Sequence, residues 1–133
     1  MLENFTETLF PDNRPILEDV ERDSITRGAT CTHIFELPFR CTGYVQDLSI
    51  IYRQGLDIIL IKDFIDCTLT ETVSDSIITI KLTPADTLKF EQNLLDVFVQ
   101  LKVLTINNDT LYNTPIKLVL DPTLDNYPVE TEI

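Results

Sequence analysis

The chain has no tryptophan, one histidine, three glycines and three cysteines among its 133 residues. Because His33 is the only imidazole, any catalytic triad that uses histidine would have to be built around it. The glycines, Gly28, Gly43 and Gly55, are isolated from one another, which excludes a glycine-rich phosphate-binding loop. No apolar run approaches the roughly 20 residues of a membrane-spanning helix. These absences argue against a phosphate-binding loop and a membrane-spanning helix, and they limit histidine-based catalysis to a site at His33.

Basic residues are scarce too, with 10 lysines and arginines against 22 acids and a net charge of −12. Most of the excess lies at the two ends of the chain. Residues 1–23 carry a net charge of −5 and residues 121–133 carry −4, whereas residues 24–120 carry only −3. Such a chain repels phosphate backbones, so we expect no nucleic-acid partner. The acidic ends fit either solubility through self-repulsion or docking on a basic partner surface.

The cysteines, Cys31, Cys41 and Cys67, are odd in number and show no Cys-x-x-Cys spacing. Residues 1–4 contain no basic segment followed by an apolar one, so we expect no secretory signal. These features predict reduced thiols in a cytoplasmic setting. A metal site built from His33 and the cysteines is a weak alternative, because their spacing matches no zinc-binding pattern.

From residue 30 onward, apolar and polar residues alternate with a period of two, as expected for half-buried strands. Residues 56–62 are apolar on both faces, which predicts a central strand covered on both sides, and Gln54 and Gly55 should form a tight turn before it. Near the end, Pro115 cannot donate to a ladder, so the last strand should lie at an edge or carry a bulge. The alternating segments are residues 31–39, 48–53, 78–82, 95–103 and 110–120.

One segment breaks this period. Thr83, Pro84 and Asp86 have the order of a helix N-cap, a first-turn proline and a third-position acid. They predict a short helix at about residues 84–91, with Leu88 pointing inward. About six or seven strands and one helical crossover predict an all-β fold, a two-sheet antiparallel sandwich. The expected organisation is an acidic extended N-terminal arm (1–23), a β-sandwich domain (24–120) and an acidic C-terminal tail (121–133).

The residues show no catalytic constellation. His33 lies in the middle of a strand, which favours a partly buried histidine with a satisfied hydrogen bond. Cys31 shares its face, but at two residues along a strand we expect the pair to lie too far apart to act as nucleophile and base. Asp63 and Asp66 fall at a strand end, where solvation is expected. We therefore predict no enzyme activity and no catalytic, cofactor-binding or metal-binding residues.

Apolar residues on outward strand positions remain as the interaction signal. Ile51, Ile59 and Ile61 fall on the outward parity of their strands. A second apolar layer under the chain's own arm and an interface with another subunit both explain them, because a large exposed patch on a monomer is unusual. The candidate interface residues come from the arm and from two outward strand positions, namely Phe5, Leu9, Phe10, Ile16, Leu17, Phe98 and Leu104.

Three motifs carry a resemblance: Thr-Arg-Gly at residues 26–28, Leu-Thr-x-x-Asp-Thr-x-x-Phe at 82–90, and Val-Gln-Leu-Lys-Val-Leu at 99–104. Residues 25–120 resemble a group of small structural proteins encoded by tailed bacteriophages of Gram-positive hosts, and are similar to the N-terminal domain of phage upper-baseplate proteins. The resemblance implies an immunoglobulin-like sandwich and a structural role in the virion, after synthesis in the host cytoplasm. It implies other virion proteins and further copies of the chain as partners, with no membrane and no cofactor.

A host-surface or carbohydrate-binding module is the alternative function. Such sites combine aromatic platforms with convergent polar groups. Here tryptophan is absent, and the tyrosines, Tyr44, Tyr52, Tyr112 and Tyr127, are scattered along the chain. A small cytoplasmic enzyme or regulator is a third and weaker hypothesis, because the residues of an active site are missing.

Overall fold

A computed structural model describes residues 3–8 and 24–121, with the backbone alone for residues 3–8. This part of the chain forms strands joined by short loops, one helical turn, α1 (Pro84–Thr87), and one 3-10 turn (Phe64–Asp66). The strands are β1 (Glu3–Thr8), β2 (Ser24–Thr26), β3 (Cys31–Leu37), β4 (Val45–Gln54), β5 (Asp57–Asp63), β6 (Thr68–Glu71), β7 (Ser76–Leu82), β8 (Asp96–Thr105), β9 (Thr110–Tyr112) and β10 (Ile116–Asp121).

The strands form two sheets. The smaller has the order β1-β3-β7-β6, and the larger has the order β2-β10-β8-β4-β5, with β9 also paired to β8. If β1, β3, β4, β6, β7, β8 and β10 are lettered A to G in chain order, the smaller sheet is A-B-E-D and the larger contains G-F-C. This is the strand order of an immunoglobulin-like sandwich, so the predicted fold is confirmed. Two of its pairings, β1 with β3 and β2 with β10, are parallel.

The core lies between the two sheets and is built by strict alternation. In β3 of the smaller sheet and in β8 of the larger sheet, every second side chain points into the core. A fully buried valine, leucine or isoleucine contributes about 1.5–3 kcal/mol, so the inward rows supply most of the stability. The largest fully buried side chains are Ile25, Phe35, Leu37, Leu48, Ile50, Tyr52, Ile78, Ile80, Leu82, Phe90 and Leu101.

The helix is one turn long, shorter than predicted. Thr83 caps it, because its hydroxyl accepts from the Asp86 N–H while the Asp86 carboxylate accepts from the Thr83 N–H. The expectation that Leu88 points inward is wrong, since this side chain is 48% exposed. Thr87 and Phe90 are buried in its place, because the helix stops after Thr87 and helical spacing no longer decides which residue faces the core.

Two of the sequence motifs meet at this crossover. Arg27 Nε donates to the Phe90 carbonyl at 2.7 Å. Thr87 Oγ1 accepts from the Gly28 N–H at 2.9 Å and donates to the Ala29 carbonyl at 2.9 Å. The Thr-Arg-Gly segment and the crossover therefore hold each other in place. We call this cluster, with the neighbouring carboxylate, the joint: Arg27, Gly28, Asp86, Thr87 and Phe90.

Asp86 connects the joint to β5 of the larger sheet. Its Oδ2 lies 2.9 Å from Lys62 Nζ and accepts from the Thr83 N–H at 2.9 Å. Burial alone would raise the pKa of Asp86, but the hydrogen bonds from Thr83 and Lys62 hold that pKa below its usual value. The carboxylate therefore stays ionised at neutral pH and keeps its partner on β5.

The prediction of a doubly covered strand at residues 56–62 is wrong. β5 is the last strand of the larger sheet, and Leu56 before it is 98% exposed. The register shifts between Tyr52 and Arg53 on β4, which leaves Ile59 as an extra residue, a β-bulge. The predicted tight turn is present, since β4 ends at Gln54 and β5 begins two residues after Gly55.

The last strand is interrupted at the proline. Pro115 lies in the gap between β9 and β10, and β10 is flanked by β2 and β8. Of the two predicted alternatives, the edge position does not occur, and the change of register between the pairs Tyr112–Lys102 and Ile116–Val99 is the bulge, because three residues lie opposite two. Asn113 replaces the missing ladder contacts, because its Oδ1 accepts from the Leu101 N–H at 2.6 Å and its carbonyl accepts from the Gln100 side chain at 2.7 Å.

Candidate interaction face

The outer surface of the larger sheet carries an apolar stripe. Residues directly opposite each other on neighbouring strands share a face of the sheet. The inward positions of β4, such as Tyr52, belong to the core, so the residues between them point outward. Outward rows of side chains cross the sheet, each with one residue from β8, one from β4 and one from β5 in that order. The rows are Phe98–Arg53–Ile58, Gln100–Ile51–Ile61 and Lys102–Ser49–Asp63, and a fourth row, Leu104–Asp47, covers β8 and β4 alone.

The isoleucines on β5 are the most open part of this stripe. Ile58 and Ile61 are 50% and 48% exposed, whereas Ile51 is buried beneath its neighbours and Phe98 is half-buried. The bulge at Ile59 brings both exposed isoleucines to the outer side, because it shifts the alternation by one residue. We call the stripe the apolar face, and it consists of Ile51, Ile58, Ile61, Phe98 and Leu104.

The turn after β5 extends the apolar face. Ile65 is 90% exposed at the tip of the 3-10 turn. A shallow groove of about 440 Å³ lies beside it, lined by Asp47, Asp63, Phe64 and Ile65. Asp66 Oδ2 accepts from the Asp63 N–H at 3.0 Å, which closes the turn. The two acids that are close in sequence, Asp63 and Asp66, therefore shape a turn at the border of the face.

Charges are distributed unevenly around the apolar face. Asp47 and Asp63 lie on the β4 and β5 side. Lys102 lies on the β8 side, and with Asp47 it lines a second groove of about 180 Å³. Lys117 on β10 lies 3.5 Å from Asp96, so these two charges compensate each other. Arg53 lies on β4 in the row of Phe98 and Ile58, so acidic and basic side chains are mixed over this surface.

A buried polar cluster links the two sheets. His33 Nδ1 on β3 lies 2.6 Å from the Tyr52 hydroxyl on β4, and Nε2 lies 3.8 Å from Cys31 Sγ. Burial lowers the pKa of His33 to about 3, so the imidazole is neutral at neutral pH. The predicted hydrogen bond of His33 is confirmed, and the side chain is more deeply buried than predicted. The expectation that Cys31 and His33 lie too far apart for contact is wrong, because both side chains lean together on the inner face.

This cluster is closed to substrates. Cys31 and His33 are each 1% exposed, and Tyr52 is fully buried. Burial also raises the pKa of Tyr52 well above its usual value, so the phenol stays protonated. The arrangement can hold a hydrogen bond between the sheets, but it offers no open position next to the thiol. Its contribution is to the packing of the sandwich.

The other two thiols are also weak nucleophiles. Burial raises the pKa of Cys41, and burial and the nearby Asp66 raise the pKa of Cys67 to about 11. Both remain protonated at neutral pH, and a protonated thiol reacts poorly. In the described part of the chain, no group of three or more His, Cys, Asp or Glu side chains is arranged to hold a metal ion. No helix of residues 24–121 is long and apolar enough to cross a membrane.

Two of the candidate interface residues have described side chains. Phe98 and Leu104 are half-buried on the outer surface, where they join Ile51 and Ile61. Phe5 lies in β1, whose backbone alone is described, and Leu9, Phe10, Ile16 and Leu17 lie outside the described residues. Sequence reasoning missed Ile58, because the inward and outward positions of β5 exchange at a bulge. No glycine or proline marks this bulge in the sequence.

Comparison with known proteins yields structural matches alone. No family model matches the chain, and no curated protein matches it. Ten solved chains match, among them the structure of murine CRIg, which is 15% identical. That match covers 75% of this chain and 92% of the other chain, with a TM-score of 0.35. At this similarity the match says nothing about function, and the fold assignment rests on the strand order itself.

Proposed function

We propose that this protein is a structural component of a bacteriophage virion, which assembles on a tail, baseplate or capsid partner through the apolar face. The supporting observation is the group of exposed isoleucines on β5 and in the turn that follows it. Ile58, Ile61 and Ile65 leave apolar surface in water that a partner could cover. Burying such surface contributes about 25 cal/mol for each Å² removed from water.

The resemblance to phage structural proteins supports the virion part of the proposal. Its motifs fall on the joint and on β8. The joint residues maintain the sandwich, and the motif on β8 alternates between core side chains and the outward Lys102 and Leu104. A domain whose motifs maintain the sandwich and whose larger sheet exposes isoleucines suits a role in assembly better than a role in catalysis.

The carbohydrate-binding alternative has less support. Tyr52 is in the core, and the ring of Tyr44 packs edge-on against Phe39 with centroids 5.1 Å apart. Tyr112 is half-exposed on β9, opposite Lys102, without a second aromatic ring beside it among the described contacts. A specific signal on a glycan array would promote this function over the proposed one.

The test is the composition of the particle. Virions should be purified from cells that produce this protein, and their proteins should be identified and counted by mass spectrometry. We expect the chain in a fixed ratio to the major tail or capsid proteins. A second preparation should carry Ile61→Asp, with Val73→Asp as the matched control on a loop of the smaller sheet. We expect the first variant to be missing from particles and the control to be incorporated, and absence of the unmodified chain from virions would refute the proposal.

A further inference from the structure

A second group of exposed apolar side chains lies at one end of the sandwich, in the loops between strands. Leu56, in the turn between β4 and β5, is 98% exposed. Leu88, Leu94 and Leu95, in the crossover between β7 and β8, are each 48% exposed. We call these four residues the leucine end.

Hydrogen bonds bring the loops of the leucine end together. The Gln54 side chain at the end of β4 donates to the Leu94 carbonyl at 2.7 Å, so the turn that carries Leu56 lies against the crossover. Arg27 Nη2, at the start of the turn that leads to β3, donates to the Leu88 carbonyl at 3.1 Å. The leucines therefore border one end of the domain, and a contiguous apolar surface of this kind usually marks a contact site, whereas single scattered leucines do not.

Strand β10 ends at the same place. The Leu120 N–H donates to the Leu95 carbonyl at 2.7 Å. The Arg27 N–H donates to the Asp121 carbonyl at 3.0 Å. The next residue is Pro122, which has no N–H with which to continue the ladder. The chain that follows β10 therefore starts from the leucine end.

The sequence of residues 122–133 has the composition of a segment that could cover this surface. It contains three acids and no base, and its large apolar residues are Leu124, Tyr127, Val129 and Ile133. An extended chain spans about 3.3 Å per residue, so Leu124 and Tyr127 can reach about 10 and 20 Å from Asp121. The crossover leucines lie within that range, because Leu95 is hydrogen-bonded to the residue before Asp121.

We propose that residues 122–133 bind back on the leucine end of their own domain, with their apolar side chains against the crossover leucines. Tethering favours this occupant over a separate partner, because a segment joined by a few residues is present at a local concentration in the millimolar range. The proposal is independent of the proposed function, since the leucine end shares no residue with the apolar face.

Charge has a small part in this contact. Among the described loops at this end, Arg27 and Lys89 are matched by Asp57 and Glu91. The surface therefore neither strongly attracts nor strongly repels the three acids of the segment. Removal of the leucines from water has to supply the affinity.

The absence of tryptophan from the chain provides the reporter for a test. Tyr127→Trp, made in the full chain, places a single indole in the segment. We expect its emission to be blue-shifted and its quenching by acrylamide to be several-fold slower than for an indole in water. Adding Leu94→Asp puts a charge into the contact, so both quantities should return to those of an indole in water. Val73→Asp, at a 92% exposed position in the loop between β6 and β7, is the matched control and should change neither.

The remaining measurements separate the proposal from its alternatives. Circular dichroism and melting temperature should be unchanged by Leu94→Asp, because this side chain is already half in water. The blue shift should persist on dilution, as expected for a contact within one chain. An indole that is exposed in the Tyr127→Trp chain overturns the proposal, and a blue shift that is lost on dilution does so too, because the segment would then bind a second copy. A blue shift that survives Leu94→Asp places the segment elsewhere and also overturns it.

A final variant separates this result from the proposed function. Ile61→Asp alters the apolar face alone, and we expect it to leave the emission of the indole unchanged. Failure of the virion experiment would therefore leave the contact at the leucine end intact, and an exposed indole would leave the proposed function intact.

Discussion

The joint and the apolar face differ in how completely their groups are satisfied. In the joint, Arg27 and Thr87 place their polar atoms on named backbone partners within 2.7–2.9 Å. On the apolar face, Ile58 and Ile61 end in water. Two of the three sequence motifs lie in the joint, and the third, on β8, alternates between core residues and the outward Leu104. The motifs therefore maintain the sandwich, whereas the exposed isoleucines, which lie outside every motif, indicate where a partner would bind.

The largest effect on stability is expected in the interior, where acid should destabilise the fold through the buried His33. Burial lowers the pKa of His33 from 6.5 to about 3, so between these values the unfolded chain binds a proton that the folded chain does not. The stabilisation is complete above pH 6.5 and decreases as the pH falls toward 3. We expect the free energy of unfolding to decrease by up to about 1.4 kcal/mol per pH unit in this range. Denaturant unfolding between about pH 7 and pH 4 measures the slope.

The double variant His33→Leu with Tyr52→Phe is the control for the acid experiment. It replaces both members of the hydrogen bond by apolar groups, which costs little compared with removing one of them. The slope between about pH 6 and pH 4 should become much shallower. An unchanged slope in the double variant would show that other groups cause the acid sensitivity.

Thr87→Val tests the joint directly. The substitution keeps the shape of the side chain and removes the oxygen that serves the Gly28 N–H and the Ala29 carbonyl. Leaving these buried groups without their partner should lower the free energy of unfolding by about 2–3 kcal/mol. Thr79→Val, on the half-exposed outer side of β7, is the matched control and should change stability by less than about 0.5 kcal/mol. Equal effects at the two positions would contradict the assignment of the joint as a structural centre.

The stability lost on replacing Gly28 should depend on how readily the new residue adopts a positive φ angle. Its φ angle of 84° lies in the left-handed region, where a Cβ atom costs about 1–2 kcal/mol. We expect Gly28→Ala to lower the free energy of unfolding by roughly 1 kcal/mol. Gly28→Asn should cost less, because asparagine adopts this conformation more readily. If asparagine proves as costly as alanine in thermal unfolding, backbone conformation is not the reason for glycine at this position.

The smallest effect on stability is expected on the apolar face. Ile61→Asp places a charge where the side chain is already half in water, so the free energy of unfolding should change by less than about 1 kcal/mol. Incorporation into particles should be lost in the same variant, because a charge would be buried in the contact with the partner. Val73→Asp makes the same change at a position that is 92% exposed in a loop, and it should alter neither quantity. A large loss of stability in Ile61→Asp would mean that this residue belongs to the core.

Local pattern predicted those parts of the fold that depend on local chemistry. The alternation around Val97 and Val99 predicted β8, and the order of Thr83, Pro84 and Asp86 predicted the capped turn. In these places neighbouring residues supply the stabilising contacts, so the sequence contains the information. The single buried histidine could also be predicted, because His33 alternates in step with Phe35 on one strand.

The errors arise where distant parts of the chain decide the outcome. Residues 56–62 are apolar on both sides, and whether a strand lies outside them depends on the order of the sheet. Whether Pro115 requires an edge position depends on Asn113, whose Oδ1 accepts from the Leu101 N–H, and β10 lies between β2 and β8. The contact between Cys31 and His33 depends on side-chain rotamers, which periodicity does not specify. The outward position of Phe98 therefore indicates an interaction face, but the sequence does not determine which residues border that face.

The bulge at Ile59 has a consequence for the size of any assembly. An isoleucine-rich edge strand would ordinarily recruit further strands and grow into an open-ended fibre. In β5 the bulge disrupts the ladder on which a new strand would form, and Lys62, directed inward to Asp86, places a charge where a continuous apolar edge would otherwise run. The isoleucines then remain accessible from the face of the sheet and not along its edge. A partner that binds this face contacts side chains and leaves the edge ladder unused, so such a contact does not extend the sheet from one molecule to the next.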